Sequence, residues 1–282
     1  MSTKITILSE NYTIGILGLR GEHGFSALIE KDGKQFLYDT GQLGICVDNA
    51  AVLKKDLTKT DKILLSHGHV DHTGGLQRAL EAIGRPVEII AHPDIFGKKY
   101  AVDKENGKVY IGIPFEKKYL ENKFKASFNF QKAFYKVDED VWLTGEIPFS
   151  NILEKIPDQF QAEADGRMKK DTFTDDNALV IDAKKGLVVV LGCGHRGAVN
   201  TLEYIKQKLG KNIYAVIGGI HLNGADRAHI DFVKSSLKQI FKEENTGIFA
   251  CGHCTGVKIV NEFWPEFKGI LSYASCGITL EF

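Results

Sequence analysis

Residues 66–75 read Ser66-His67-Gly68-His69-Val70-Asp71-His72-Thr73-Gly74-Gly75. Directly before this stretch, an apolar-weighted run at 62–65 predicts a buried strand. Directly after it, apolar residues at 76, 80 and 83 recur at helical spacing and predict a helix. Three imidazoles and one carboxylate therefore lie in a short loop between a strand and a helix, which predicts an α/β fold with its chemistry at a strand end.

The loop carries the donor atoms that divalent metals prefer. Histidine nitrogens and aspartate oxygens suit zinc and similar ions. Alternation over a tight turn directs His67 and His69 to one side, and Asp71 and His72 to another, so one loop can begin two metal sites. A surface histidine cluster is the structural alternative, but so dense a group of donors is rare by chance.

More histidines end later predicted strands, each beside glycines. His195 and His253 are expected to supply the missing metal ligands, because the ends of several strands at one sheet edge can converge on a cleft. His221 could be a ligand or could contact substrate. His23, in a glycine-containing loop, either supports the site, faces substrate or is an ordinary loop residue.

Apolar patterns place further elements along the chain. Strands are predicted at 5–8, 25–30, 35–38, 87–91, 141–144, 178–182, 187–191, 213–217, 247–250 and 278–282, and helices at 198–209, 225–241 and 257–263. Strands mixed with helices in this way favour stacked sheets with helices outside.

Composition excludes several classes of protein. Lys+Arg and Asp+Glu are both 36, so the formal net charge is zero, which argues against a nucleic-acid partner. No apolar run reaches the length of a membrane span, so no membrane partner is expected. The five cysteines, an odd number without framework spacing, favour a reducing, cytoplasmic setting. The oligomeric state is not decided by the sequence.

Residues 97–136 are unusually basic and aromatic. They hold ten lysines against four carboxylates, a net +6, together with nine aromatic residues. We interpret the segment as an insertion. It is either a solvated surface pinned down by its aromatics, or a lid that offers cations and ring faces to a flat anionic substrate.

The strand–HxHxDH–helix arrangement resembles the metallo-β-lactamase superfamily. Residues 36–41 look like its early hairpin, whose Asp39 supports the metal loop in such proteins. The runs at 145–148, 175–180, 192–197, 218–222 and 253–256 are similar to a subgroup described as metal-dependent hydrolases of β-lactamase superfamily II. That subgroup includes archaeal proteins named for synthesis of a dihydropterin ribofuranosyl-aminobenzene phosphate.

The resemblance implies one domain over residues 1–282, a four-layer αββα sandwich with a basic and aromatic insertion and a metal cleft at one sheet edge. There is a departure from the family pattern: the strand end at which a bridging Asp is usual carries Cys193 and His195. We therefore do not expect β-lactamase activity itself.

Our first hypothesis is a metal-dependent hydrolase with one or two divalent ions. His67, His69 and His195 would hold one ion, and Asp71, His72 and His253 would hold a second. Bound zinc would lower the pKa of a coordinated water to about 7, with iron and manganese also compatible. In this scheme Asp71 orients the water or takes its proton, and Asp39 fixes a ligating imidazole.

Two further hypotheses remain open: a synthase or transferase of pterin-type metabolism, and a non-catalytic metal-binding partner protein. The expected substrate is a small anionic molecule, and Arg196 beside His195 is a candidate for a bidentate phosphate contact. Cys251 and Cys254 fit a redox or zinc motif, or a structural pair of small thiols.

Overall fold

The computed structural model describes residues 2–103, 105 and 107–282. Its strands, in chain order, are β1 (Thr3–Ser9), β2 (Ser26–Lys31), β3 (Lys34–Tyr38), β4 (Lys62–Leu64), β5 (Glu88–Ala91), β6 (Lys98–Asp103), β7 (Gly107–Tyr110), β8 (Ser127–Phe130), β9 (Tyr135–Asp138), β10 (Val141–Leu143), β11 (Phe160–Ala164), β12 (Arg167–Lys170), β13 (Ala178–Ala183), β14 (Gly186–Leu191), β15 (Ile213–Gly218), β16 (Ile248–Cys251), β17 (Leu271–Tyr273) and β18 (Thr279–Glu281). The α-helices are α1 (Ile45–Val52), α2 (Val70–Thr73), α3 (Leu76–Ile83), α4 (Lys117–Phe124), α5 (Ala198–Leu209), α6 (Arg227–Glu244) and α7 (Val257–Phe263).

Two seven-stranded sheets form the centre of the protein. The first has the order β18-β1-β2-β3-β4-β5-β8, and the second β17-β16-β15-β14-β13-β10-β9. The strand predicted at 278–282 is the edge strand β18, paired antiparallel with β1. The helix predicted at 225–241 begins later, because the Asp226 side chain accepts a hydrogen bond from the His229 amide and caps α6.

Alternation of side chains along the strands explains the layers. In β13, Leu179 and Ile181 pack between the two sheets, whereas Ala178 and Val180 pack toward α5, α6 and α7. In the first sheet, Leu37 packs toward α1 and α3, while its neighbours in β3 face the second sheet. The predicted αββα sandwich is confirmed.

The segment at 97–136 was predicted to be an insertion packed over the core, but its strands β6, β7 and β8 belong to two of the sheets. It contains β6 and β7, which join β11 and β12 in a separate four-stranded sheet. It also contains β8, which pairs with β5 as an edge strand of the first central sheet. Phe128 and Phe130 of β8 pack onto the core that lies beneath α3 and α4. Lys104, one of its ten lysines, lies outside the described residues. The single domain and the bounds of the insertion stay predictions.

The parallel strands determine where the histidines meet. Strand β4 is parallel to both of its neighbours, and so is β15 in the second sheet. The loop at 66–72 follows β4, and the histidines at 195, 221 and 253 follow β14, β15 and β16. Of the helices described for the chain, none combines the length and hydropathy needed to cross a membrane.

Candidate metal centre

The histidine-rich loop is held by two buried carboxylates. Asp39 accepts hydrogen bonds from the Ser66 amide (2.7 Å) and the Ser66 hydroxyl (2.6 Å). Asp175 accepts one from the Gly68 amide (2.8 Å) and one from Lys99 Nζ (2.8 Å). The loop backbone is therefore anchored before any metal binds, which preorganises its ligands.

The first donor group consists of His67, His69 and His195, whose potential ligand atoms lie within 4.8 Å of one another. Nε2 of His67, Nε2 of His69 and both ring nitrogens of His195 are buried and find no hydrogen-bond partner among the described residues. Buried polar atoms without partners are costly. A metal ion would satisfy these nitrogens, so this group fits a metal.

Burial keeps the imidazoles of the first donor group neutral. Burial is the main cause that lowers the pKa of His67, His69 and His195 well below the usual histidine value, and neighbouring histidines add to the effect. A neutral imidazole has a free lone pair. Phe173 stacks on the His195 ring, with centroids 4.0 Å apart, and limits its rotation.

The second donor group consists of Asp71, His72, Cys193 and His253. His72 Nε2 lies 3.1 Å from Cys193 Sγ and 3.2 Å from His253 Nε2. His253 Nε2 lies 3.2 Å from Asp71 Oδ2. These separations are close to the edge of a zinc tetrahedron, about 3.3 Å for Zn–N bonds of about 2.05 Å. The second group therefore also fits a metal, with Cys193 in addition to the predicted ligands.

The charge state of the second group differs from that of the first. Burial acts to raise the pKa of Asp71, but His72, His23 and His253 outweigh it and hold that pKa well below its usual range. Burial acts to lower the pKa of His72, but Asp71 and Asp39 outweigh it and raise that pKa to about 9. A metal ion at this group would have to displace a proton from His72.

Hydrogen bonds to Nδ1 of His72 and Nδ1 of His253 orient the imidazoles of the second group. His72 Nδ1 lies 2.7 Å from Asp39 Oδ2, as proposed for Asp39 from the sequence. His253 Nδ1 lies 3.0 Å from Asn11 Oδ1, and the His253 amide donates to the Glu10 carboxylate. Asn11 and Glu10 were missed by the sequence analysis, because they follow β1, more than 240 positions from His253.

Three further residues were predicted to support the site or to contact substrate: His23, His221 and Arg196. The first two lie at the cavity, and Arg196 does not. His23 sits at the rim, with Nε2 3.3 Å from Asp71 Oδ2, and His221 lines the cavity wall. Arg196 is a correction: its guanidinium donates to the carbonyls of Ile147 and Thr172, both at 2.8 Å, and it is not part of the cavity lining. These carbonyls hold the guanidinium outside the cavity lining, so the structure does not support the predicted phosphate contact.

A third set of donors adjoins the second and consists of Cys193, His221 and Cys254. Burial and the neighbouring Cys254 raise the pKa of the Cys193 thiol. Burial opposes ionisation of Cys254 too, but a hydrogen bond from Cys193 and the nearby imidazoles lower its pKa well below the usual value. Cys251 is fully buried, whereas Cys254 faces the cavity, so the two do not act as one structural pair of thiols. The clue in the sequence was the presence of Cys193 and Cys254 in the same strand-end loops as His195 and His253.

Members of all three donor groups line one cavity of about 560 Å³. Its lining residues are Asn11, His23, Gln42, His69, Val70, Asp71, Ala101, Val109, Tyr110, Ile111, Gln159, Phe160, Cys193, His195, His221, Asn223, His253 and Cys254. Strands β6 and β7 thus form part of the wall with apolar and aromatic side chains. No lysine or arginine occurs in this lining within the part of the chain that the structure describes.

Four lysines of the segment at 97–136 form ion pairs away from the cavity. Lys99 is buried in ion pairs with Asp171 and Asp175, both at 2.8 Å. Lys98, Lys117 and Lys123 pair with surface glutamates. The idea that a lysine-bearing lid faces the substrate is therefore not supported, although the segment does contribute to the cavity.

Comparisons with known proteins identify the family of the chain. The family model described as the metallo-beta-lactamase superfamily matches residues 19–209. An uncharacterized protein of Methanocaldococcus jannaschii is 37% identical over 242 residues, 86% of this chain and 87% of its own. From the same organism, a protein named 7,8-dihydropterin-6-methyl-4-(beta-D-ribofuranosyl)-aminobenzene-5'-phosphate synthase is 31% identical over 291 residues, 99% of this chain and 96% of its own.

A solved structure is similar over the full length as well. It is the crystal structure of Tm1679, described as a metal-dependent hydrolase of the beta-lactamase superfamily. The two chains superpose with a TM-score of 0.82 at 29% identity, and 99% of each is covered. The similarity therefore extends beyond the residues that the family model matches.

Proposed function

The chain belongs to the metallo-beta-lactamase superfamily, and from this premise we propose that it is a metal-dependent hydrolase of phosphorylated aromatic small molecules. The observation that carries the proposal is the pair of adjacent donor groups at one cavity. The rings of His67 and His72, one from each group, have centroids 4.2 Å apart. Two divalent ions held side by side suit hydrolysis of phosphate esters.

The donor sets favour zinc. The first group has only imidazole nitrogens, and the second mixes imidazole, carboxylate and thiol. Zinc accepts all three donor types, whereas manganese prefers oxygen ligands and would be served less well by the thiol. When bound, such ions supply Lewis acidity and an activated water nucleophile.

Two residues of the chain are candidates for proton transfer, Asp71 and His23. The Asp71 carboxylate stays ionised and is placed to accept a proton from the nucleophile. The hydrogen bond to Asp71 raises the pKa of His23, a half-exposed rim residue. The raised pKa favours the protonated imidazole, so we assign His23 the role of proton donor to a leaving group.

The cavity wall suggests what part of a substrate it accepts. Tyr110 and Phe160 offer ring faces to a flat group, and Asn11, Gln159 and Asn223 offer amides for hydrogen bonds. Since the lining has no lysine or arginine among the described residues, attraction for an anion would come from the metal ions themselves. We propose a small anionic molecule as the partner, no nucleic acid or membrane partner, and a cytoplasmic location.

The test combines metal analysis with turnover. Protein purified without chelator should carry bound metal and hydrolyse an aryl phosphodiester, and His69→Ala should lose both. His229→Ala is the matched control, because His229 lies on α6 outside the cavity lining. Metal-free parent protein, or turnover that survives in His69→Ala, would contradict the proposal.

A second candidate is a synthase, favoured by the 31% identity to the Methanocaldococcus protein of that name over 99% of this chain. The metals would then hold a phosphate or activate a nucleophile other than water. Mass spectrometric detection of the named ribofuranosyl-aminobenzene phosphate product, without hydrolysis of aryl phosphodiesters, would favour the synthase over the hydrolase.

A further inference from the structure

We propose that Cys193, His221 and Cys254 form a third cation site, one that selects a thiophilic divalent ion. Their potential ligand atoms, two Sγ and one ring nitrogen, lie within 4.8 Å of one another. The proposal adds a thiolate-rich position to a centre for which the sequence predicts only histidine and aspartate ligands. It concerns which ions bind, so it holds whether the reaction is a hydrolysis or a synthesis.

The backbone brings the three residues together at adjacent strand ends. Cys193 follows β14, His221 follows β15 and Cys254 follows β16, and these strands are parallel neighbours. His221 has a positive φ of 45°, which is uncommon for a residue with a side chain. This backbone conformation accompanies a ring that lies against His195, with centroids 4.1 Å apart, at the cavity wall.

One ring nitrogen of His221, Nδ1, is buried and has no hydrogen-bond partner within the described residues. Such an atom loses its water without gaining a partner, which is energetically unfavourable. A cation bound through Nδ1 would satisfy this nitrogen.

Glycine at position 219 provides the room for Cys254. A Cβ added to Gly219 would lie 2.5 Å from Cys254 Sγ and 2.7 Å from the Gly192 carbonyl oxygen. Both distances are far below van der Waals contact, so a side chain there would force the Cys254 thiol and the Gly192 backbone to shift. The close approach keeps Cys254 directed toward Cys193 and the cavity.

The donor chemistry defines the ion. Thiolates bind zinc, cobalt and cadmium strongly, and they discriminate against magnesium and manganese. Cys193 belongs to this set and to the second donor group, so its sulfur is placed to be shared by two ions. The negative charges of two thiolates and Asp71 would offset the added positive charge.

The experiment uses metal-free, full-length protein kept reduced with a non-chelating phosphine and titrated with Co²⁺. The parent should develop an intense near-ultraviolet band from thiolate-to-cobalt charge transfer. In Cys254→Ser the band should fall to about half, because one of two thiolate ligands is lost. In the double variant Cys193→Ser/Cys254→Ser it should disappear.

Binding stoichiometry gives a second readout. Equilibrium dialysis with Cd²⁺ should show one ion fewer per chain in Cys254→Ser than in the parent, while Mn²⁺ binding should be equal in the two proteins. Cys46→Ser is the matched control, because Cys46 is buried and donates to the Thr40 carbonyl away from the cavity. It should leave the Co²⁺ spectrum and the Cd²⁺ count unchanged.

Two further variants protect the test against a folding defect in Cys254→Ser. Gly219→Ala keeps both cysteines but displaces the thiol, and His221→Asn removes the imidazole. Each should lower the Cd²⁺ count by one in protein with a parent-like circular dichroism spectrum. A charge-transfer band and a Cd²⁺ count that are unchanged in Cys254→Ser would overturn the proposal. No substrate is present, so absence of hydrolase activity would leave the result unaffected.

Discussion

Oδ2 of Asp39 lies 2.7 Å from Nδ1 of His72, and both side chains are completely buried. The same carboxylate also accepts hydrogen bonds from the amide and hydroxyl of Ser66. Asp39 therefore holds both ends of the loop at 66–72 and fixes the orientation of one imidazole. Its backbone φ of 55° is unusual for a non-glycine residue, so this position is specified by its surroundings.

Replacing Asp39 with Asn should weaken metal binding at the second donor group. The amide cannot supply the negative charge that makes His72 a strong ligand, and loss of such a partner typically costs about 10–100-fold in affinity. Competition with a chelator measures the change. Asp158→Asn, at an exposed carboxylate paired with Lys170, is the control and should behave like the parent. Equal affinities for the two variants would refute a positioning role for Asp39.

Replacing Lys99 with Met should destabilise the whole protein. The Lys99 side chain is 4% exposed and pairs with Asp171 and Asp175, which are 6% and 0% exposed. Removing the cation leaves buried negative charge, which costs about 3–5 kcal/mol of unfolding free energy. Denaturant unfolding measures this value.

Lys98→Met is the control for Lys99, because adjacent residues of a strand point to opposite faces. The Lys98 side chain is 61% exposed and pairs with Glu163. Its replacement should lower the free energy of unfolding far less than the replacement of Lys99, because an exposed ion pair contributes little to stability. Similar losses for Lys98→Met and Lys99→Met would show that burial of the ion pairs is not the cause.

Gly192→Ala should disturb the metal loop by steric overlap. A Cβ at this position would lie 2.2 Å from Ser66 Oγ and 3.0 Å from Asp39 Oδ2. We expect a loss of about 1–3 kcal/mol in stability from overpacking, together with weaker metal binding. Thermal unfolding and metal analysis test both effects. Gly15→Ala, where an added Cβ meets nothing within 4 Å, should be neutral.

Metal binding at the second donor group should release protons. In the metal-free chain at pH 7, His72 is protonated because its pKa is about 9, and Cys193, with its raised pKa, keeps its thiol proton. Only the deprotonated forms bind a metal. Apparent affinity should therefore rise with pH from 7 toward 9, roughly tenfold per pH unit for each proton released.

Calorimetric titrations in two buffers with different protonation enthalpies measure the released protons. The first donor group should contribute none, because the lowered pKa values of His67, His69 and His195 leave these imidazoles neutral at pH 7. Cys193→Ser should release fewer protons than the parent. Identical heats in the two buffers would exclude proton release.

Local patterns were sufficient to predict the elements that hold the site. Helices α5 and α7 match their predicted bounds, and the strands at the centre of the second sheet differ from prediction by only a residue or so at each end. Period-2 and helical spacing are properties of short stretches of chain, and glycine at a helix end acts locally. The HxHxDH loop is informative for the same reason, since all of its donors are neighbours in sequence.

The contacts between residues that are far apart in the sequence were decided only by the tertiary structure. Sequence alone determined that 67, 69, 71 and 72 carry metal-binding side chains after a strand, but it did not reveal that Cys193 Sγ lies 3.1 Å from His72 Nε2, across 121 positions. Nor did it show that backbone carbonyls hold Arg196 away from the cavity, or that Lys99 is buried among carboxylates. The direction of a side chain depends on which remote atoms compete for its hydrogen bonds and charge, and only the packing of the two sheets brings those atoms together.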